Sequence, residues 1–509
     1  MRMNKYFDNS DFSRYRHCKT LFVKGRLMPL AEDEASVYRQ SEYARLREEL
    51  FKLLPDGIDC RSAEPDAAFA ALEKGLEEGE KAFRNVCFVA GAFCAYVDEI
   101  CVTDEGLCAY YTKTTPKITE SAVAKAAYIA EVAKRSGHPL AAIRVAVCNR
   151  SYVRKGAIEP EKLFKINDVA PRTEEAKDVV AAFFDEAERL LAEPIVREMS
   201  VKCERPDKCE YFASCVATER PCMLDFHGID GGTMFKLFES GVKSLDDLLD
   251  NAHLLKPAQA AMVRMYLTDD EMHIDIPRVR AFIEKLHYPM CFLDFEACQP
   301  ALPLYDGTRP FMQIPFQYSL HVKRTEYSEL EHFQFLPKKG VDPRPEIARR
   351  LFNQIPHGAC VVVFSKGLEC KVLNQLASKY KDLGSKLTAA RGGVRDLQEL
   401  FASRAVYSKA MLGSTSLKAV YPAMFPGDKS CDYSALDVRN GAEALRLCAR
   451  SQYEDDAASA EHYAQLYTYC GKDTLSLARM VMLLQTVTGA EIGVKRNKNR
   501  RRRHRKKAE

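Results

Sequence analysis

At 509 residues the chain is too long for one ordinary hydrophobic core, so two or three domains are expected. Its 47% hydrophobic and 29% charged residues are those of a soluble globular protein, and 75 basic against 71 acidic residues leave a formal net charge of only +4, which excludes a polycation. No apolar run reaches membrane-spanning length and MRMNKYFDNSDFSRYRHC has no apolar signal core, so neither a membrane partner nor export is expected. The 18 cysteines then point to the reducing cytoplasm, as thiols or metal ligands rather than disulfides.

In chain order, Ser10 or Asp11 is placed to cap a short helix carrying Cys18. Apolar patterning predicts strands over Val86–Ile100 and Leu107–Lys113, a helix over Glu120–Ser136 and a strand over Ile143–Asn149. Cys203, Cys209 and Cys215 follow, with five residues between neighbours and charged and aromatic residues as filler. Structural cysteines normally sit singly in apolar runs, as Cys87, Cys94, Cys101 and Cys148 do. Four thiolates suit an iron–sulfur cluster or zinc, with Cys222 as a local fourth ligand or Cys18 as a distant one.

Ser10–Leu27 followed by this array resembles the iron–sulfur nucleases of the RecB-like PD-(D/E)XK group, which includes the CRISPR-associated RecB-like exonucleases. The resemblance implies a [4Fe–4S] cluster on Cys18, Cys203, Cys209 and Cys215, with Zn²⁺ as the alternative, stapling the two ends of the region together. It also implies a nuclease core with an Asp on one strand and Glu-x-Lys on the next. Asp98 and Lys113 take the outer places, but Tyr111 stands at the Glu and Ile129 where the family usually has a glutamine. A tyrosine is no hard-metal ligand at neutral pH, so this site is expected to be degenerate, unless Asp104 or Glu105 supplies the acid from the loop.

Met234–Val242, a glycine stop and then Ser244–Leu248 resemble half of a helix-hairpin-helix; a plain helical linker is the alternative.

Met290–Leu293 is an apolar run typical of a buried strand. Asp294 and Glu296 follow at i and i+2, which on a strand puts two like charges on one face, where a divalent cation removes the repulsion. Strands are predicted over Phe316–Val322, Leu330–Leu336 and Ala359–Phe364, and helices over Pro343–Gln354 and Cys370–Tyr380, with Glu369 at the entry of the second. Asp396 is a competing acid, and Gly413–Lys418 precedes a helix with hydroxyls fit for a cap or a phosphate. On a final helix, Gln465–Met482, Tyr469 and Asp473 share a face at i and i+4.

Asp-x-Glu on a first strand with Tyr-x-x-x-Asp on a late helix resembles the DEDD exonucleases of the ribonuclease H-like fold, in the subclass with a tyrosine. That implies a 3′–5′ exonuclease acting on DNA or RNA, with single strands as substrate and two Mg²⁺ or Mn²⁺ ions. Asp294 would bridge the ions, Glu296 and Asp473 complete one coordination sphere, Glu369 or Asp396 the other, and Tyr469 orient the water.

Nearly the whole chain is similar to a bacterial family of unassigned function that fuses the two domains. The expected class is therefore α/β. A PD-(D/E)XK-like domain with a cysteine cluster spans 1–223 and a helical bridge 224–286. A ribonuclease H-like mixed-sheet domain spans 287–489 and a disordered basic tail 490–509. The tail's Lys495–Lys507 suits phosphate backbones. Readings of another class are a catalytically weak nucleic-acid-binding iron–sulfur protein and a redox metalloprotein.

Overall fold

A computed structural model of the protein describes residues 5–30, 34–193, 199–205, 208–216, 218–268, 272–431, 438, 440–451 and 456–494. Over these residues the chain is α/β with mixed sheets and about half helical. The basic stretch Lys495–Lys507 lies outside the described residues. No described helix is long and apolar enough to cross a membrane. The chain forms two compact units, one of Met1–Ala217 with Gln299–Met312, the other of Thr218–Cys298 with Gln313–Glu509.

The first unit is built on a six-stranded sheet in sequential order: β1 (Ile58–Asp59), β2 (Ala82–Ala90), β3 (Phe93–Thr103), β4 (Gly106–Lys113), β5 (Leu140–Cys148) and β6 (Phe164–Asp168). β2, β3 and β4 form an antiparallel meander, and β5 runs parallel to β4. The single strand expected over Val86–Ile100 is thus a hairpin. Gly91, at φ +60°, makes a turn where the apolar pattern alone shows no break.

Helix α1 (Asn9–His17) is capped by Asp8, which accepts from Ser10 and Asp11 backbone N–H, while Asp11 returns a bond to the Asp8 N–H. The cap therefore lies two residues before the earliest position expected. Helix α2 (Lys19–Leu27) follows at once, and α3 (Glu34–Phe51) and α4 (Pro65–Glu77) come before β2. Helix α5 (Glu120–Arg135) makes the crossover from β4 to β5, and α6 (Lys177–Ala192) closes the core. Phe12 stacks on Tyr128 of α5 at 4.9 Å, and Phe183 of α6 lies edge-on to Phe12 at 5.5 Å. The Tyr128 hydroxyl donates to Phe7 and Cys94 carbonyls, so α1 and α2 are fixed to the sheet. Ile129 is fully buried in the same core.

The second unit begins with the helices Gly231–Glu239, Leu245–Asp250 and Pro257–Leu267; Ser244 caps the second with a complete capping box. Its five-stranded sheet contains β7 (Met290–Cys298), β8 (Ile314–Lys323), β9 (Leu330–Phe335), β10 (Cys360–Val363) and β11 (Val394–Asp396), in the order β9-β8-β7-β10-β11. β7, β8 and β9 are antiparallel, whereas β10 and β11 run parallel to β7. Residue alternation assigns the faces. Cys291, Leu293 and Phe295 join Tyr318, Leu320 and Val322 in the apolar core, so Asp294, Glu296, Gln317, Ser319 and His321 share the other face. Helices α7 (Arg344–Gln354), α8 (Gly367–Lys379) and α9 (Lys381–Gly392) accompany the parallel part. Helices α10 (Leu417–Met424), α11 (Gly441–Ser451) and α12 (Asp456–Thr488) complete the unit.

Candidate metal centre

The sheet register sets the first two acids. Asp294 lies opposite Ser319 and Glu296 opposite Gln317 across the β7–β8 ladder. The same β8 residues hold α12. Gln317 Nε2 donates to the Leu466 carbonyl at 2.7 Å, and Ser319 Oγ and His321 Nδ1 bond Thr474 Oγ1 at 2.7 and 2.8 Å. His332, opposite His321, stacks on it at 4.0 Å and bonds Ser319. Burial, with His332 adding to it, pushes His321 down to about 3, so the ring is neutral and suited to a fixed hydrogen bond. Thr474 is the neighbour of Asp473, so this polar seam sets α12 on the strand pair and delivers Asp473 to Asp294.

Asp294, Glu296 and Asp473 each bring a carboxylate oxygen within 4.8 Å of the others, the one group of this kind among the described residues. Asp294 keeps a partly open edge, while Glu296 and Asp473 are buried. Burial first, then the neighbouring Asp473, Glu296 and Glu369, raises the Asp294 pKa well above the usual carboxylate range. Burial and Asp473 push Glu296 up to about 8. Three acids held this close are a hard oxygen donor set that fits Mg²⁺ or Mn²⁺.

The fourth acid is Glu369, 3% exposed in the first turn of α8, whose Oε2 is buried without a hydrogen-bond partner. Burial pushes it up to about 8. Asp396 is used otherwise. Its oxygens accept the backbone N–H groups of Ser365, Lys366 and Gln398 at 2.9, 3.0 and 3.1 Å. Ser365 has φ +69°, a left-handed conformation unfavourable for a side chain with a Cβ. Asp396 thus secures the turn that presents Glu369, and between the two candidates Glu369 is the acid left free to take a metal.

Tyr469 is buried on the same α12 face as Asp473, and Lys418 Nζ donates to its hydroxyl at 2.6 Å. Burial, then Asp473, Glu296 and Asp294, raises the Tyr469 pKa, so the phenol keeps its proton. Lys418 is an addition the sequence reading passed over. It stood at the end of a loop considered for caps and phosphates, but Ser416 makes no side-chain cap. Gly441 is another. A Cβ there would lie 3.1 Å from Glu296 Oε2, so glycine leaves the carboxylate its place.

In the first unit, Cys18 forms the joint between α1 and α2. His17 Nε2 meets the Lys202 carbonyl at 2.9 Å, Lys24 Nζ donates to Ser214 at 2.6 Å and Tyr211 to the Met28 carbonyl at 2.8 Å. These bonds draw the early helices and the late cysteine segment together. Burial and then the thiols of Cys18 and Cys215 raise the Cys203 pKa; burial and then Cys203, Cys215 and Cys18 raise Cys209. No disulfide joins the described cysteines. Cys222 falls in the second unit, where it forms a capping box with Asp225.

Of the remaining expected nuclease residues, Asp98 lies on β3 and Tyr111 and Lys113 on the neighbouring β4. Asp98 on β3 accepts from the Tyr43 hydroxyl at 2.6 Å and the Thr112 N–H at 2.8 Å. Tyr111 is 1% exposed and donates to the Ala122 carbonyl, which ties β4 to α5. Asp104 and Glu105 are exposed in the β3–β4 turn, about 20 Å along the strand from Asp98 at the usual rise. Neither can replace the missing carboxylate.

A family model described as a domain of unknown function (DUF2779) matches residues 291–416. That span includes Asp294, Glu296, Glu369 and Asp396 and ends before Tyr469 and Asp473. No curated protein and no solved structure matches the chain.

Proposed function

We propose that the protein is a metal-dependent nuclease, a 3′–5′ exonuclease of single-stranded DNA or RNA, working through Asp294, Glu296, Glu369, Tyr469 and Asp473. The observation that carries this reading is the meeting of three carboxylates from β7 and α12 within 4.8 Å, with Glu369, whose Oε2 has no partner, acting on Asp294. The β9-β8-β7-β10-β11 order, with an antiparallel meander on one side and parallel strands on the other, supports a ribonuclease H-like domain. The α4-β2-β3-β4-α5-β5 succession supports a RecB-like PD-(D/E)XK domain in the first unit, with its catalytic site lost at Tyr111.

Mg²⁺ or Mn²⁺, when bound, supplies a nucleophilic water and charge stabilisation for the leaving 3′-oxygen. Asp294, on which Asp473, Glu296 and Glu369 all act, would bind both ions, with Glu296 and Asp473 completing one coordination sphere and Glu369 the other. Tyr469 acts as a donor rather than a base. Lys418 donates to its oxygen, and the phenol, which keeps its proton, would orient the water. In the first unit, Cys18, Cys203, Cys209 and Cys215 would hold a [4Fe–4S] cluster. Their thiols act on one another, and four such thiolates suit an iron–sulfur cluster, with zinc as the alternative.

The test is release of nucleotides from 3′-labelled single strands of DNA and of RNA, with Mg²⁺ or Mn²⁺ and with EDTA. Metal-dependent loss of the label from at least one strand is expected. Binding without release would leave the weak binding protein as the better reading.

A further inference from the structure

The first unit contains a cleft of about 420 Å³ lined by Arg47, Arg61, Lys125, Tyr43, Asn85 and Asp98, among others. Its charge is unbalanced. Asp98 is the one acid in the lining, and its oxygens are already taken by Tyr43 and Thr112. Lys125, partly buried on α5, has no hydrogen bond or ion pair among the described residues; its ammonium lies 5.2 Å from the centre of the Tyr111 ring, and Asp98 acts on it only through space. Arg47 presents a buried Nε without a partner. Asp8, the nearest other acid to act on Lys125, is engaged in capping α1.

Partly buried cations without bonded partners destabilise a fold, so keeping Lys125 and Arg47 in one cleft favours a compensating anion. A metal ion is excluded as that occupant by the same charge. We propose that this cleft is an oxyanion site that takes a phosphate group through Lys125 and Arg47. The phosphate comes from a nucleic-acid strand or is free in solution. The site binds without cutting, since it offers no free carboxylate.

The experiment uses the full chain in EDTA, so its outcome does not depend on turnover at Asp294. A fluorescein-labelled oligothymidylate is titrated by anisotropy over a series of salt concentrations, and melting is followed with and without inorganic phosphate. Wild type is compared with Lys125→Met and Arg47→Gln. Lys125→Met is expected to weaken strand binding about tenfold, the effect of one lost charged hydrogen bond. The slope of log affinity against log salt should shrink by about 0.7. The same variant, freed of a buried unpaired charge, should melt about 2–4 °C higher without ligand, an effect a merely structural lysine would not give. Unchanged strand affinity, with phosphate stabilising wild type but not Lys125→Met, keeps the site and identifies free phosphate as its ligand. Strand affinity and phosphate response both unchanged in both variants overturn the proposal.

Discussion

Asp294→Asn and Asp473→Asn are each expected to reduce metal-dependent nucleotide release on the order of 10³-fold or more, because each breaks one shared metal-binding unit. The double variant should be little worse than either single one. Tyr469→Phe should be milder, since it removes a water-orienting hydroxyl and leaves all four acids. The same variants have a second, opposite effect on stability. Glu296 titrates near 8 in the folded protein against an ordinary 4.5, so its proton stabilises the fold fully below about 4.5 and that contribution is lost as pH rises through about 8. Asp294 is raised in the same direction. In EDTA the wild type should therefore lose melting temperature between about pH 5 and pH 9, and Asp294→Asn should flatten that loss. Mn²⁺ should restore the wild type at high pH and do little for the variant. Kinetics and melting curves on the same samples check both effects; additive losses of activity would show that the acids do not share one centre.

Cys209→Ser should lose the iron and much of the stability of the first unit. As ligands of the proposed cluster, the four cysteines would join α1–α2 to a segment almost two hundred residues later. Closing a loop of that length contributes roughly 5 kcal/mol by chain-entropy reasoning, and the ligand bonds add their own folding energy. Anaerobically purified wild type should contain about four irons per chain and a broad visible absorbance. Cys222→Ser should keep both, since Cys222 caps a turn in the second unit. Full iron content and an unchanged melting curve in Cys209→Ser would remove Cys209 from the ligand set.

The parts of this architecture legible in the sequence are those with a strict spacing. Asp294 and Glu296 alternate with Leu293 and Phe295, and that period of two is the strand itself. Tyr469 and Asp473 follow the helical period in the same way. Even so, β7 runs through both acids to Cys298, beyond the apolar run that announced it, because a carboxylate facing a site is no reason for a strand to end.

What escaped was everything that needs a partner from elsewhere in the chain. Gln317, Ser319 and His321 read as polar residues in a half-exposed strand, yet all three are buried and set α12 on β8. Lys418 gains its meaning only beside Tyr469, and Gly441 only beside Glu296. On sequence Glu369 comes first, with Asp396 as its competitor. The positive φ of Ser365, which no pattern encodes, gives Asp396 to the turn and leaves Glu369 to the site. The association of Gln299–Met312 with the first unit was equally hidden: Ala301 and Leu302 pack with Leu46 and Leu50 of α3, although they interrupt two paired strands of the second unit.

The central claim is that Asp294 stands between two metal ions. The most direct measurement is anomalous diffraction from crystals of the protein grown with Mn²⁺, compared with Asp294→Asn grown in the same way. Two manganese peaks about 4 Å apart, both against Asp294, one shared with Glu296 and Asp473 and the other with Glu369, are predicted, with loss of both in the variant. A single peak that persists in Asp294→Asn, or manganese bound only outside these four carboxylates, would contradict the account.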